Sequence, residues 1–219
     1  MNSYSTEEEQ IAALKKWWSE NGSSLLIGIG VALAVVFGWK AYQSGVEQDK
    51  SEASMLYQQL VSAATQTQLT GLEEGSTVGY LATELKNNHQ GSEYALYAAL
   101  FIAKEKVAEG DYEAAISELN SVAENTEDSR LLHIVKARLA RIFSVQGKHQ
   151  EAITMLESPD AAFEASYLEI TGDIKKRSGD EAGAIEAYKQ AFELVKAQPQ
   201  AQPLLAVKLS DLGINPDSL

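Results

Sequence analysis

In 219 residues the chain carries 31 Asp and Glu against 18 Lys and Arg, with three His and no Cys, for a net charge of −13. All but one of those excess negative charges falls on residues 41–219, so the bulk of the chain repels nucleic-acid phosphates and is held off an anionic lipid surface. Without cysteine there is no disulfide, thiolate metal site or Cys nucleophile, and the length suits one anchor with one soluble domain of ordinary size.

The opening residues 1–22 read as a juxtamembrane segment. Ser5-Thr6-Glu7-Glu8-Glu9 holds two overlapping capping patterns, Ser5 with Glu8 and Thr6 with Glu9, which supply hydroxyls and early acids to a helix start. Ile11, Leu14, Trp17 and Trp18 then share one face of a short amphipathic helix. Such a helix lies in the membrane interface or docks on a membrane partner. Asn21-Gly22 is expected to end it.

Residues 23–42 form the stretch around which the chain is organised. No charge occurs from Ser23 to Trp39, and Lys40 is the first one met. Twenty helical residues reach roughly 30 Å, the thickness of a bilayer's hydrocarbon core. Trp17 and Trp18 before the run, and Trp39 and Tyr42 after it, are placed as anchors at the two headgroup layers. A cleaved signal peptide fits less well, because the leader is acidic and Gly38-Trp39-Lys40-Ala41-Tyr42 offers no small-x-small site. Nothing else in the chain is apolar enough to wrap the run as a core helix. Gly28-x-Gly30 is no dinucleotide loop, since position 33 is Leu and no strand precedes it. Within the run, Gly30, Ala34 and Gly38 make a small-residue stripe where a second membrane helix could approach closely. Lys15 and Lys16 before the span, against Lys50 alone after it, favour a cytoplasmic N-terminus.

Residues 43–219 read as one helical domain. A first helix is expected over 43–67, a turn-rich segment over 71–79 and a shorter helix over 80–87; no alternating pattern calls for a sheet. From residue 92 the sequence repeats. Gly110-Asp-Tyr-Glu-Ala-Ala-Ile, Gly147-Lys-His-Gln-Glu-Ala-Ile and Gly179-Asp-Glu-Ala-Gly-Ala-Ile align without gaps. Each glycine is preceded by a small residue (Ala103, Ala140, Gly172) and followed by an alanine (Ala115, Ala152, Ala184), with Leu119, Leu156 and Tyr188 further on. The glycine ends one helix in a left-handed conformation, and the small residue and the alanine face each other where two helix axes approach. This is the logic of a tetratricopeptide-type repeat, with helices over 92–109 and 112–123, 130–146 and 149–156, and 162–178 and 181–195. Ser158-Pro159 cuts the middle repeat short, and the earliest hairpin lacks the pattern. The expected fold is therefore all-α: a single N-terminal transmembrane helix followed by a short, irregular tetratricopeptide-like solenoid. Gln198-Pro199-Gln-Ala-Gln-Pro203 stops the last repeat helix, and 204–212 forms a small cap over the open end.

No residue pattern calls for an enzyme, a metal or a cofactor. His89, His133 and His149 are far apart in sequence and read as surface or half-buried helical residues. There is no Ser elbow, phosphate loop or Cys–His pair. What remains is surface. The first helix of each hairpin lines the concave side of a solenoid, which makes Tyr97, Leu100, Lys104, Ile134, Ala137, Arg141 and Asp173 the expected lining of a partner-binding groove. The apolar ones among them serve inter-repeat packing equally well.

The opening Tyr4-Ser-Thr-Glu-Glu-Glu-Gln-Ile, then Leu14-Lys-Lys-Trp-Trp-Ser-Glu-Asn-Gly22, then the glycine-rich span ending Phe37-Gly-Trp39 and the closing Val207-Lys-Leu-Ser-Asp-Leu-Gly213, together resemble the YfgM family. These are ancillary subunits of the bacterial Sec translocon. The resemblance implies a single-pass inner-membrane protein whose C-terminal domain lies in the periplasm. It implies as partners the Sec channel, a membrane-anchored periplasmic chaperone of the prolyl-isomerase type and exported chains, with a non-enzymatic role in handing those chains on. A general periplasmic holdase that grips unfolded chains directly, and a scaffold facing the cytoplasm, are the rival readings.

Overall fold

The computed structural model describes residues 7–70, 75–196 and 203–219, and these are helical with no strand among them. The first helix, α1, runs from Glu7 to Thr70 without interruption. The expected break at Asn21-Gly22 is absent. Asn21 Nδ2 donates to the Trp17 carbonyl at 3.1 Å, and Gly22 is buried beneath the Trp18 indole, where a Cβ would lie 3.2 Å from the ring. A glycine inside a helix costs only about 1 kcal/mol relative to alanine, less than leaving backbone groups unpaired at the edge of a bilayer. The separate helices expected before and after residues 23–42 are thus parts of one continuous helix. The capping patterns at Ser5 and Thr6 lie outside the described residues.

The chain divides into two units, residues 1–52 and 53–219. Within the first, α1 is long and apolar enough to cross a membrane, and its apolar stretch is 6% buried. Leu26, Ile27, Val35 and Phe37 are all exposed.

The second unit begins with the end of α1. Ala53 and Leu60 on that helix are buried with Ala82 and Leu85 of α2 (Gly75–Asn88) and Ala98 and Ile102 of α3 (Glu93–Glu109). α2 starts five residues earlier than expected. Its Gly79 is helical, with the Glu105 carboxylate so close that a Cβ would lie within 2.6 Å of it. Residues 71–74 of the expected turn are outside the described residues.

Three hairpins follow: α3 with α4 (Tyr112–Asn125), α5 (Ser129–Val145) with α6 (His149–Thr154), and α7 (Glu164–Ser178) with α8 (Glu181–Val195). Gly110, Gly147 and Gly179 have φ of +81°, +79° and +87°. At each, the next residue's N–H reaches back across the last turn, as Asp111 N does to the Lys106 carbonyl at 2.9 Å. Asp111 and Asp180 then cap the following helix through Ala114 N and Gly183 N. Lys148 holds the same place before α6 and offers no side-chain cap. With Ser158-Pro159 downstream, α6 is only six residues long, shorter than the expected 149–156. Leu156 is nevertheless buried beside Ala140 and Ala152.

Successive cores fill the seams. Ala103, Ala115, Leu119 and Val135 share one, and Ala140, Ala152, Tyr167 and Ile170 the next. In the third hairpin a Cβ on Gly172 would overlap the Tyr188 ring, and Ala184 is buried with Tyr188 and Phe192. The helix α9 (Pro203–Ser210) starts on a proline, whose missing N–H costs nothing at a first turn, and places Leu205 and Leu209 over Phe192.

Candidate partner-binding groove

His133 and His89 are buried, each 7% exposed, where surface or half-buried positions were expected. His133 pins α5 to the next repeat. The Tyr167 hydroxyl donates to the His133 carbonyl at 3.1 Å and lies 2.8 Å from Nδ1, Nε2 is 3.1 Å from an Asp160 oxygen, and the imidazole stacks on Phe163 at 4.6 Å. Tyr167 follows His133 by 34 residues, one repeat period, so each supplies the other's partner across the stack. Among the described residues no group of three or more His, Asp or Glu could hold a metal ion.

The residues expected to line a groove separate into three sets. Leu100 and Ala137 are in the cores, and Ile134 is exposed. Tyr97 is half-buried with its ring 5.6 Å from Tyr57, and lines a cavity of about 360 Å³ with Glu93, Glu127 and Asp128. Lys104, Arg141 and Asp173 come together along α3, α5 and α7. Lys104 and Arg141 share a cavity of about 210 Å³, and Arg141 and Asp173 share another of about 610 Å³. Arg141 belongs to both, so the two cavities adjoin across the first helices of the three repeats and are together called the groove.

The first cavity has an apolar floor of Ala103, Val107, Leu119 and Ile142, walled by Lys104, Arg138 and Arg141. The second adds Lys176, Arg177 and Lys208. Arg138 Nη1 donates to the Leu100 carbonyl at 3.0 Å, and burial, then the charge of Arg141, pulls its pKa below the usual guanidinium range. Lys104, Arg141 and Arg177 make no hydrogen bond or ion pair among the described residues. Asp173 is engaged within the fold: its carboxylate accepts from Tyr188 Oη at 2.7 Å and from Lys208 Nζ at 2.9 Å, and Lys208 also reaches Glu169 at 2.6 Å. These contacts tie α9 to α7 and α8. Burial first, and the Asp173 bond second, push the Tyr188 phenol well above its ordinary pKa.

Arg138, Val107 and the three cations of the second cavity were not singled out from the sequence. The signal was present in the repeat: Lys104 and Arg138, like Val107 and Arg141, are one period apart. In the first unit, a Cβ on Gly30 or Gly38 would meet nothing within 4 Å, and Ala34 between them is exposed. Trp17, Trp18, Trp39 and Tyr42 are exposed as well, the last two 6.1 Å apart.

A family model described as a tetratricopeptide repeat-like domain matches residues 15–214, taking in the apolar helix as well as the hairpins. A protein of Aggregatibacter actinomycetemcomitans named ancillary SecYEG translocon subunit is 30% identical over 95% of this chain and 99% of its own length. The chain belongs to the YfgM family of ancillary SecYEG translocon subunits. Members bearing that name in Haemophilus influenzae and Escherichia coli K12 are 28% and 26% identical, over 95% and 98% of this chain and 99% and 100% of theirs. The YfgM likeness therefore covers the apolar helix and the groove together.

Proposed function

We infer that the chain is a non-enzymatic adaptor of the inner-membrane Sec translocon. Its N-terminus is cytoplasmic and its helical-repeat domain periplasmic. It links the channel to a membrane-anchored chaperone of the prolyl-isomerase type and assists the handover of exported proteins. The observation that carries this reading is an apolar helix continuous with a repeat domain, in a chain similar along nearly its whole length to translocon subunits. Lys15 and Lys16 on one side of the span, against Lys50 on the other, support the orientation. In this reading α1 is seated beside the channel through Gly30, Ala34 and Gly38, with Trp17, Trp18, Trp39 and Tyr42 at the headgroups, and the groove holds a protein partner.

Detergent pull-down of the translocon with the Gly30→Leu plus Gly38→Leu variant tests the seat, with reduced recovery expected; unchanged recovery of every partner removes the stripe. Protease shaving of spheroplasts tests the orientation: digestion of the repeat domain is expected, and protection places it in the cytoplasm. Exposed Val107 and Val145 in the groove favour a second reading, a holdase for unfolded chains. Suppression of aggregation of a reporter substrate by the full chain in nanodiscs separates the two, since a pure adaptor gives none.

A further inference from the structure

The groove has the opposite charge to the chain that carries it. The sixteen residues lining its two cavities include six of the 18 Lys and Arg and one of the 31 acids. A lining drawn from the average surface of this chain would be acidic, as it is in the cavity of Glu93, Glu127 and Asp128. The single acid, Asp173, is already engaged by Tyr188 and Lys208. Lys104, Arg141 and Arg177 have no ionic partner among the described residues. Arg138 and Arg141 stand one turn apart on α5, a spacing at which like charges repel, and the first cavity they wall contains no carboxylate. The buried hydroxyl of Ser144, which lines the second cavity, also finds no hydrogen-bond partner among the described residues. Such a cluster is unfavourable when empty and becomes favourable once anionic oxygens enter it.

The floor narrows the choice of anion. Ala103, Val107, Leu119 and Ile142 leave about 210 Å³, room for one branched or aromatic side chain. A polyphosphate backbone has no apolar group to place there. The occupant therefore carries carboxylates and an apolar side chain on one flexible backbone. We propose that the groove binds an acidic peptide segment of a partner protein, with an apolar residue on the Val107–Ile142 floor and carboxylates against Lys104, Arg138, Arg141 and Arg177. This rests on the adaptor reading, in which the groove holds a protein partner, and it specifies the chemistry of the segment held.

The test uses the full chain in phosphatidylcholine nanodiscs and fluorescence anisotropy of a labelled peptide of about ten residues built from Glu, Leu and Gly. The same peptide with every Glu replaced by Gln is expected to bind about tenfold more weakly or worse. The double variant Lys104→Gln, Arg141→Gln is expected to lose affinity for the acidic peptide by a similar factor. Lys136→Gln, on the same helix but outside both cavities, retains it, and circular dichroism checks that each variant is folded. Equal affinity for the two peptides, or unchanged affinity in the double variant, overturns the proposal. So does displacement of the peptide by phosphatidylglycerol vesicles where phosphatidylcholine vesicles fail, which identifies a lipid headgroup as the ligand. Affinity capture of the translocon from the same strain keeps the two readings apart. Capture without peptide binding removes this inference alone, whereas peptide binding without capture supports the groove's chemistry and removes the translocon link.

Discussion

Gly30 and Gly172 are both glycines in the interior of α-helices, and their surroundings are opposites. A Cβ on Gly30 would meet no atom within 4 Å, whereas on Gly172 it would run into the Tyr188 ring. Each residue costs its helix about 1 kcal/mol relative to alanine. At Gly172 the fold itself offsets that cost, because the absent side chain lets α8 lay a tyrosine directly against α7. At Gly30 and Gly38 nothing among the described residues does so. The same residue type thus marks a finished contact in the repeat domain and a bare surface on the apolar helix.

The largest expected effect is at the finished contact. Gly172→Ala forces the Tyr188 ring to shift while its hydroxyl is held by Asp173, and is expected to lower stability by about 3 kcal/mol in urea unfolding of the full chain in mild detergent, followed by circular dichroism. Ala115→Leu tests the first hairpin in the same way. Ala115 is completely buried in the core it shares with Ala103, and the added methylenes are expected to cost about 2 kcal/mol. A neutral outcome would show that α3 and α4 have space to separate there.

Tyr188→Phe keeps the ring and removes only the bond to Asp173, with an expected loss of about 1 kcal/mol at neutral pH. The pH dependence sharpens this case. The folded phenol holds its proton more tightly than the unfolded one, so its contribution is complete below the ordinary value of 10.0 and declines as pH rises from there toward the elevated folded value. Alkaline titration of stability should therefore fall more steeply for the parent chain than for Tyr188→Phe above pH 10.0. The smallest effect closes the comparison: Gly30→Ala and Gly38→Ala should not destabilise, since each new methyl meets nothing within 4 Å, and alanine's better helix propensity adds at most about 1 kcal/mol at each site. A destabilisation of the size seen at Gly172 would mean that the apolar helix packs within its own chain.

How far the sequence could be read depended on the range of the interaction. The repeat glycines, the aspartates after two of them and the alanines on either side are local signals, and the helices they delimit end within a few residues of the expected bounds. The helix break at Asn21-Gly22 was misjudged because propensity there is weak and the Trp18 ring covers the glycine. The residues expected along a groove part company in the structure. Lys104 and Arg141 line the same cavity, whereas Leu100 and Ala137, on the same helices, turn into the cores.

Taken by itself, the sequence determined that this is an acidic chain with one bilayer-length apolar helix and a run of glycine-terminated hairpins, because charge, length and helix termination are properties of short segments. Only the tertiary structure decided which cations gather in one groove, that Asp173 serves the closing helix, and that Tyr188 fills the space at Gly172. Those outcomes depend on side chains from different repeats meeting, and the angle and spacing of stacked helices, which no single segment carries, govern whether they do.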